Sequence, residues 1–486
     1  MKKKILYPIV GCAVAVVVAL SAYFIFKGSD SYLNVLPQNA TAIGRVNLMA
    51  VLQDADLTAQ ESLQLFQRYL NSDNDEQLGI NLTKPVYAFV SSSDYIGLAA
   101  AVSDESRLKA YIESLHTEGN STAITSQRGY SWTTVKSSWL LAFNDKKALM
   151  MGPVTASEQD QLRLEMLSLL RQESGKSGVS SVLFSKLEQS DETFAAVLAP
   201  EMLPDEARRL LYKFGVESKE DALLRLTLDT DDNELELEAE LLAESPAVED
   251  YLKDLEKIMQ PVSAELTETA HVNNFAWMTA HIDSETILEA LRSNSAIRTL
   301  LVGLNFIIDA DKIIRSVGGD LSVEFTNPSF LVNLSGDVLR DVYFTAQMSN
   351  TDFLKDASKW GNKMIPVQAI SPKDFSFSFL SQYYYFGMYG STFYMGDCQW
   401  LPAEGNDYLR RMRDDIKGKR FYATFFAPEL LSILTSILSD QGLSFTLPSV
   451  LSRFERLDIE MENMGELSLR LIAPKDTDIA RELLNL

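Results

Sequence analysis

"SSWLLAFNDKKALMMG" (Ser137–Gly152) and "SQYYYFGMYGSTFYMG" (Ser381–Gly396) align without a gap, and this pairing organises the whole chain. Each reads as two short apolar strands around a turn, with Asn144–Lys147 the polar tip of the first. Other matches fall in the same order on either side. "AIGRVNLMAVL" (Ala42–Leu52) answers "MTAHIDSETIL" (Met278–Leu288), and "AVSDESRLKA" (Ala101–Ala110) answers "QMSNTDFLKD" (Gln347–Asp356). Downstream, "AVLAPEML" (Ala196–Leu203) answers "TFFAPELL" (Thr424–Leu431), and "RLTLDTDDNELELEAEL" answers "RLDIEMENMGELSLRLI". Matches kept in one order predict two copies of one unit, 31–260 and 261–486. The period is far longer than that of a solenoid, so each copy is expected to own a core.

Within a unit the pattern is mixed. "KPVYAFVSSSDYIGLAAAVS" reads as two strands joined by a polar turn. Asp104 or Ser106 then opens a helix with Leu108, Ile112 and Leu115 at helical spacing, and another is expected over Thr58–Leu70. A last strand pair over Leu223–Leu242 precedes a helix over Ala247–Met259. Strands on short turns with helices between the groups predict an α+β fold, mainly antiparallel, with flanking helices.

The alignment also divides the aromatic cluster. Trp139/Tyr383, Leu141/Tyr385 and Leu149/Phe393 are apolar in both copies, and period-2 alternation assigns Tyr383 and Tyr385 to one core-facing side. The differences are expected to carry function. Leu140 becomes Tyr384, Ala142 becomes Phe386, and the polar Asn144, Asp145 and Lys146 become Met388, Tyr389 and Gly390. Tyr384, Phe386, Met388 and Tyr389 are therefore the candidate partner contact.

The first 30 residues set the compartment. Three lysines precede 22 uncharged residues, Ile5 to Phe26, a length that crosses about 30 Å of hydrocarbon at helical rise. A transmembrane anchor is expected, with Ile5, Val10, Val16, Leu20, Phe24 and Phe26 in the bilayer. The lysines predict a cytoplasmic N-terminus and a periplasmic bulk, a single-pass inner-membrane protein. Two alternatives stand beside it: "IVGC" as a lipobox with lipidation at Cys12, and cleavage at "ALSA", Ala19–Ala22.

Charge and motifs narrow the chemistry. A net charge of −23 opposes nucleic-acid binding, which needs clustered Lys and Arg. The two cysteines, Cys12 and Cys398, predict neither an internal disulfide nor a thiolate metal cluster. The three histidines, His116, His271 and His281, form no HExxH. "SGKSG" (Ser174–Gly178) has Leu170 where a phosphate loop needs glycine, and "SRLK" (Ser106–Lys109) lacks its companion motifs. Seven carboxylates between Asp231 and Glu244 alternate with leucines, as on a half-buried strand with an acidic outer side. No cofactor, metal or catalytic residue is expected.

"YLNVLPQNATAIGRVNLMAVL", with Pro37, Asn39 and Ala40 before Arg45, Val46 and Asn47, resembles an uncharacterised family of Bacteroidetes envelope proteins of similar length. These carry a domain of unknown function, a duplicated α+β unit behind an export segment. The resemblance implies location and architecture and transfers no catalytic residue. Together these readings predict a non-enzymatic, membrane-anchored extracytoplasmic binding or scaffold protein, such as an accessory subunit of an envelope secretion or assembly complex. The alternatives are a carrier of an apolar ligand or lipid, and a hydrolase using dispersed carboxylates.

Overall fold

A computed structural model describes residues 30–47, 78–328, 341–361, 365–379, 382–397, 406–430 and 453–481, apart from Asp191, Phe214, Asn273, Asn294, Glu429 and Ala480. The anchor residues Ile5, Val10, Val16, Leu20, Phe24 and Phe26, with Cys12, lie outside these residues. So do Cys398 and the helix expected over Thr58–Leu70. Among the described residues no helix is long and apolar enough to cross a membrane. The chain forms two compact units, one from residues up to Glu249 plus Lys475 onward, the other Asp250–Pro474.

The first unit is an antiparallel sheet of ten strands. They are β1 (Ala42–Val46), β2 (Val86–Val90), β3 (Ile96–Ala101), β4 (Thr125–Gln127), β5 (Tyr130–Val135), β6 (Trp139–Phe143), β7 (Lys147–Gly152), β8 (Phe194–Leu198), β9 (Ala222–Asp231) and β10 (Glu234–Ala243). Pairing places them in the order 4-5-6-7-3-2-1-8-9-10. Local chemistry explains the turns. Asn144 accepts from the N–H groups of Lys146 and Lys147 at 3.0 Å each, closing the β6–β7 tip. Helix α1 (Glu105–Thr117) starts where Asp104 accepts from the N–H groups of Ser106 and Arg107, and buries Leu108 and Ile112.

One face of this sheet carries the main core. Tyr87, Phe89, Leu140, Ala142, Leu149 and Met151 pack with Leu162, Met166 and Leu169 of α2 (Gln159–Arg171) and with Leu183, Phe184 and Leu187 of α3 (Val182–Leu187). The opposite face is also apolar. Val46, Val86 and Phe194 form a second cluster there with Ala88, Leu98, Ala196 and Leu228.

The first strand of the second unit is β11 (Met259–Gln260), which pairs with β12. Its sheet contains β12 (Ala276–Ile282), β13 (Val317–Phe325), β14 (Val342–Met348), β15 (Gln368–Ala369), β16 (Asp374–Phe379), β17 (Gln382–Tyr389), β18 (Thr392–Gly396), β19 (Phe421–Phe426), β20 (Arg456–Met461) and β21 (Glu466–Ile472). Their order is 15-16-17-18-14-13-12-19-20-21, again antiparallel throughout. Counted from the first strand of each sheet, the two orders are the same. On one face, Phe375, Phe377, Tyr384, Phe386, Met388, Phe393 and Met395 pack under α5 (Ser295–Asn305), α6 (Ala310–Arg315) and α7 (Leu354–Ala357) with Phe353 before it. Preceding these is α4 (Ser284–Ser293).

Pairing register corrects the reading of the opening stretches. Leu141 pairs with Met150, whereas Tyr385 pairs with Gly396, so the second hairpin holds two more residues between partners. Strand β17 runs through Tyr389, and the tip is Gly390–Ser391, with Gly390 at φ +59° where glycine pays no steric penalty. Met388 and Tyr389 are strand residues, not tip residues.

The side assignment reverses as well. Tyr383 is 63% exposed, while Tyr384, Phe386 and Met388 are buried. Leu140 and Ala142 of β6 are likewise the inward pair. A run with apolar residues on both alternations cannot declare its inner side. The packed helices decide it.

Candidate functional site

The second face of each sheet separates the two units. In the first, one cross-strand row runs Leu98, Ala88, Gly44, Ala196, Leu226, Ala239, and the next runs Val86, Val46, Phe194, Leu228, Leu237. Apolar side chains occupy nearly every place. In the second unit the corresponding rows are Tyr343, Glu324, Trp277, Thr424, Asp458, Arg470, and Thr345, Ser322, Thr279, Tyr422, Glu460, Ser468. Here the positions hold hydroxyls, carboxylates and a guanidinium, and Glu324, Thr424, Asp458 and Glu460 are buried.

Buried polar groups persist where they satisfy one another. Ser322 and Thr345 share a 2.5 Å hydrogen bond. Tyr408 and Tyr422 each donate to Asp458 Oδ2 at 2.6 Å, leaving Asp458 Oδ1 buried without a hydrogen bond. Burial, then the Asp458 charge, pushes both phenols well above their usual range, so they stay protonated donors. Arg456 lies 4.2 Å from the Tyr408 ring centre. Glu460 accepts from Lys419 at 3.1 Å and from Arg470 at 3.0 Å.

Two histidines meet two buried acids. Glu324 accepts from the His271 backbone N–H and contacts its Nδ1, both at 2.9 Å. Burial alone would lower the His271 pKa, but the hydrogen bond and charge of Glu324, aided by Asp397, hold it above the ordinary value. His271 packs 4.3 Å from the Tyr343 ring, and Tyr343 donates to Asp397 at 2.6 Å. Asp320 is fully buried, and its Oδ2 accepts from Ser263 Oγ at 2.7 Å and from the N–H groups of Ser263 and Ala264. His281 Nδ1 stands 3.4 Å from Asp320 Oδ1, outside hydrogen-bond geometry. Among the described residues no three His, Cys, Asp or Glu side chains converge as metal ligands.

A roof covers this face. Leu266 of the 3-10 turn Glu265–Thr269, Leu409 of α8 (Asp407–Arg411) and Ile416 of α9 (Arg413–Ile416) seal it against Trp277 and Tyr422. Asn406 caps α8 by accepting from the N–H groups of Tyr408 and Leu409. In the seam of the roof lies a cavity of about 460 Å³ lined by Ser263, Glu265, Arg410, Arg413, Asp414 and Lys417.

Of the predicted contact residues, Tyr384, Phe386 and Met388 lie in the core and only Tyr389, 52% exposed, faces outward, joined there by Tyr383. The roofed acids escaped sequence reading because "GDLSVEF" and "RLDIEM" alternate as solvent-facing strands do. His271 and His281, which no motif marked, are the side chains that meet two of those acids. His116 instead contacts the Ser121 carbonyl at 2.8 Å, a local bond.

Residues 32–399 match the family described as a domain of unknown function, DUF4836. The chain belongs to that family. The matched residues include His271, Asp320 and Glu324 and end before the roof helices and β19–β21. No curated protein matches the chain. Among solved structures it is similar to crystal forms III and I of TP0453, at 12% and 13% identity and a TM-score of 0.28 each. These cover 47% of this chain and 87% and 86% of theirs.

Proposed function

We propose that this chain is a non-enzymatic, membrane-anchored binding or scaffold protein of the bacterial cell envelope, of the Bacteroidetes kind that the sequence resembles. It consists of two copies of one α+β unit, of which the second has taken on recognition. The shared strand order supports the duplication, and the apolar run Ile5–Phe26 behind three lysines supports a single-pass anchor with the bulk periplasmic. Lipidation at Cys12 is the alternative tether. The partner is a protein of the envelope, and an accessory subunit of a secretion or assembly complex fits these features.

The observation that carries binding is the division of labour on β17. Its inward residues Tyr384, Phe386 and Met388 complete the core, while Tyr383 and Tyr389, both more than half exposed, turn outward on the other alternation. Outward tyrosines offer large contact area with little entropy loss, the usual chemistry of recognition surfaces. The test is a mild-detergent pull-down of the tagged full-length chain against Tyr383→Ser plus Tyr389→Ser. A partner held by wild type and released by the double variant is expected. Equal retention would move recognition off this face, and wild type emerging alone would sink a protein-binding role.

A further inference from the structure

We infer that the cavity in the roof of the second unit binds a small zwitterion, a free amino acid or short peptide with both termini charged. This site is separate from the tyrosine face of β17 and does not depend on it. Its two walls differ in sign. The α8–α9 wall supplies Arg410, Arg413 and Lys417 against a single acid, Asp414. The opposite wall supplies Glu265 and Ser263, with the buried Asp320 carboxylate directly behind Ser263. Gln347 braces that wall, donating to Glu265 at 2.8 Å and to Ser263 Oγ at 3.2 Å. The Ser263 hydroxyl points its proton at Asp320, so this side presents acceptors rather than donors to a ligand.

The positive wall already demonstrates its taste for carboxylate. Glu268 bridges the two arginines, 3.3 Å from Arg410 Nε and 3.2 Å from Arg413 Nη1. Each guanidinium has five N–H groups in a planar fork, so one such contact leaves donors unspent on both. Lys417 is exposed, and its ammonium makes neither an ion pair nor a hydrogen bond among the described residues. A ligand carboxylate therefore meets Lys417 and the unspent N–H groups, while its ammonium faces Glu265.

The field of the whole chain argues for the same class. A net charge of −23 repels a free anion on approach, but a neutral zwitterion is not repelled. The volume, about 460 Å³, accommodates a dipeptide with a few waters.

The test is calorimetric titration of the full-length chain in mild detergent with the dipeptide Ala–Ala, its N-acetyl form and its C-terminal amide. Ala–Ala is expected to bind, and each blocked form to bind at least about tenfold more weakly, one charge-assisted contact having been lost. Glu265→Gln should lose discrimination against the N-acetyl form, and Lys417→Gln discrimination against the amide. Both side chains are exposed, so folding should survive, and circular dichroism checks it. Equal binding of all three ligands would overturn the inference, as would the absence of heat from folded wild type at millimolar Ala–Ala.

Discussion

The second faces of the two sheets have the same strand order and opposite chemistry. Val46, Val86 and Phe194 stand where the second unit has Thr279, Ser322 and Tyr422. The first set is held by area removed from water and tolerates small changes of shape. The second is held by reciprocal hydrogen bonds, in which each member depends on another. One backbone plan thus supports either a plain core or a buried polar network, depending on what the roof brings with it.

The sharpest break of this contrast is Asp458→Leu, which places in β20 the residue type that Leu226 supplies in β9. Tyr408 and Tyr422 would keep their hydroxyls and lose the acid that accepts from both, so a loss of about 3–5 kcal/mol is expected. Amide exchange of β19 and β20 in wild type and variant measures it, and a change within experimental scatter would show that the network is not holding the sheet. Next comes the core assignment on β17. Phe386→Ala should cost about 3–5 kcal/mol by cavity formation, whereas Tyr383→Ala should stay within about 0.5 kcal/mol. Urea unfolding of both variants decides it, and a reversed ranking would restore the alternation read from sequence.

A smaller effect runs in the other direction. Phe194→Tyr imports the Tyr422 hydroxyl without an Asp458 to receive it, at about 1–3 kcal/mol. A variant as stable as wild type would mean that water reaches this face of the first unit.

The smallest expected effect depends on pH. Because the folded-state pKa of His271 is raised, its pairing with Glu324 contributes stability fully below the ordinary imidazole value of about 6.5. That contribution is lost as pH rises through the raised value. Melting temperature should therefore fall across that window in wild type and stay flatter in Glu324→Gln. Parallel pH profiles would remove His271 from the account.

Much of the fold was readable along the chain. Apolar alternation around polar turns located the β2–β3, β6–β7 and β9–β10 hairpins, and Asp104 announced α1. The alignment of the two units was coarser. With Ala196 and Thr424 taken as equivalent, pairing register sets Gly44 against Trp277, three residues from the sequence match of the front segments. The last pair of segments slides by one, setting Leu226 against Asp458. Similarity follows the alternation of apolar residues, which repeats every second position and so tolerates such slips.

The candidate site was far less readable. Asp320, Glu324, Asp458 and Glu460 sit in strands that alternate as though half of each faced water. Period-2 patterning says that a strand has two unlike sides, and nothing in it says what lies over them. For the second unit the answer comes from Val262–Ala270 and Asn406–Ile416, remote in sequence from β13 and β20, which close over acids and tyrosines together. Local propensity and turn chemistry act between neighbours, so the order of residues along the chain sets the elements. Burial is a property of which distant segments meet, so tertiary structure alone decided that the tyrosines of β17 divide between core and surface, and that the acids of the second unit are roofed.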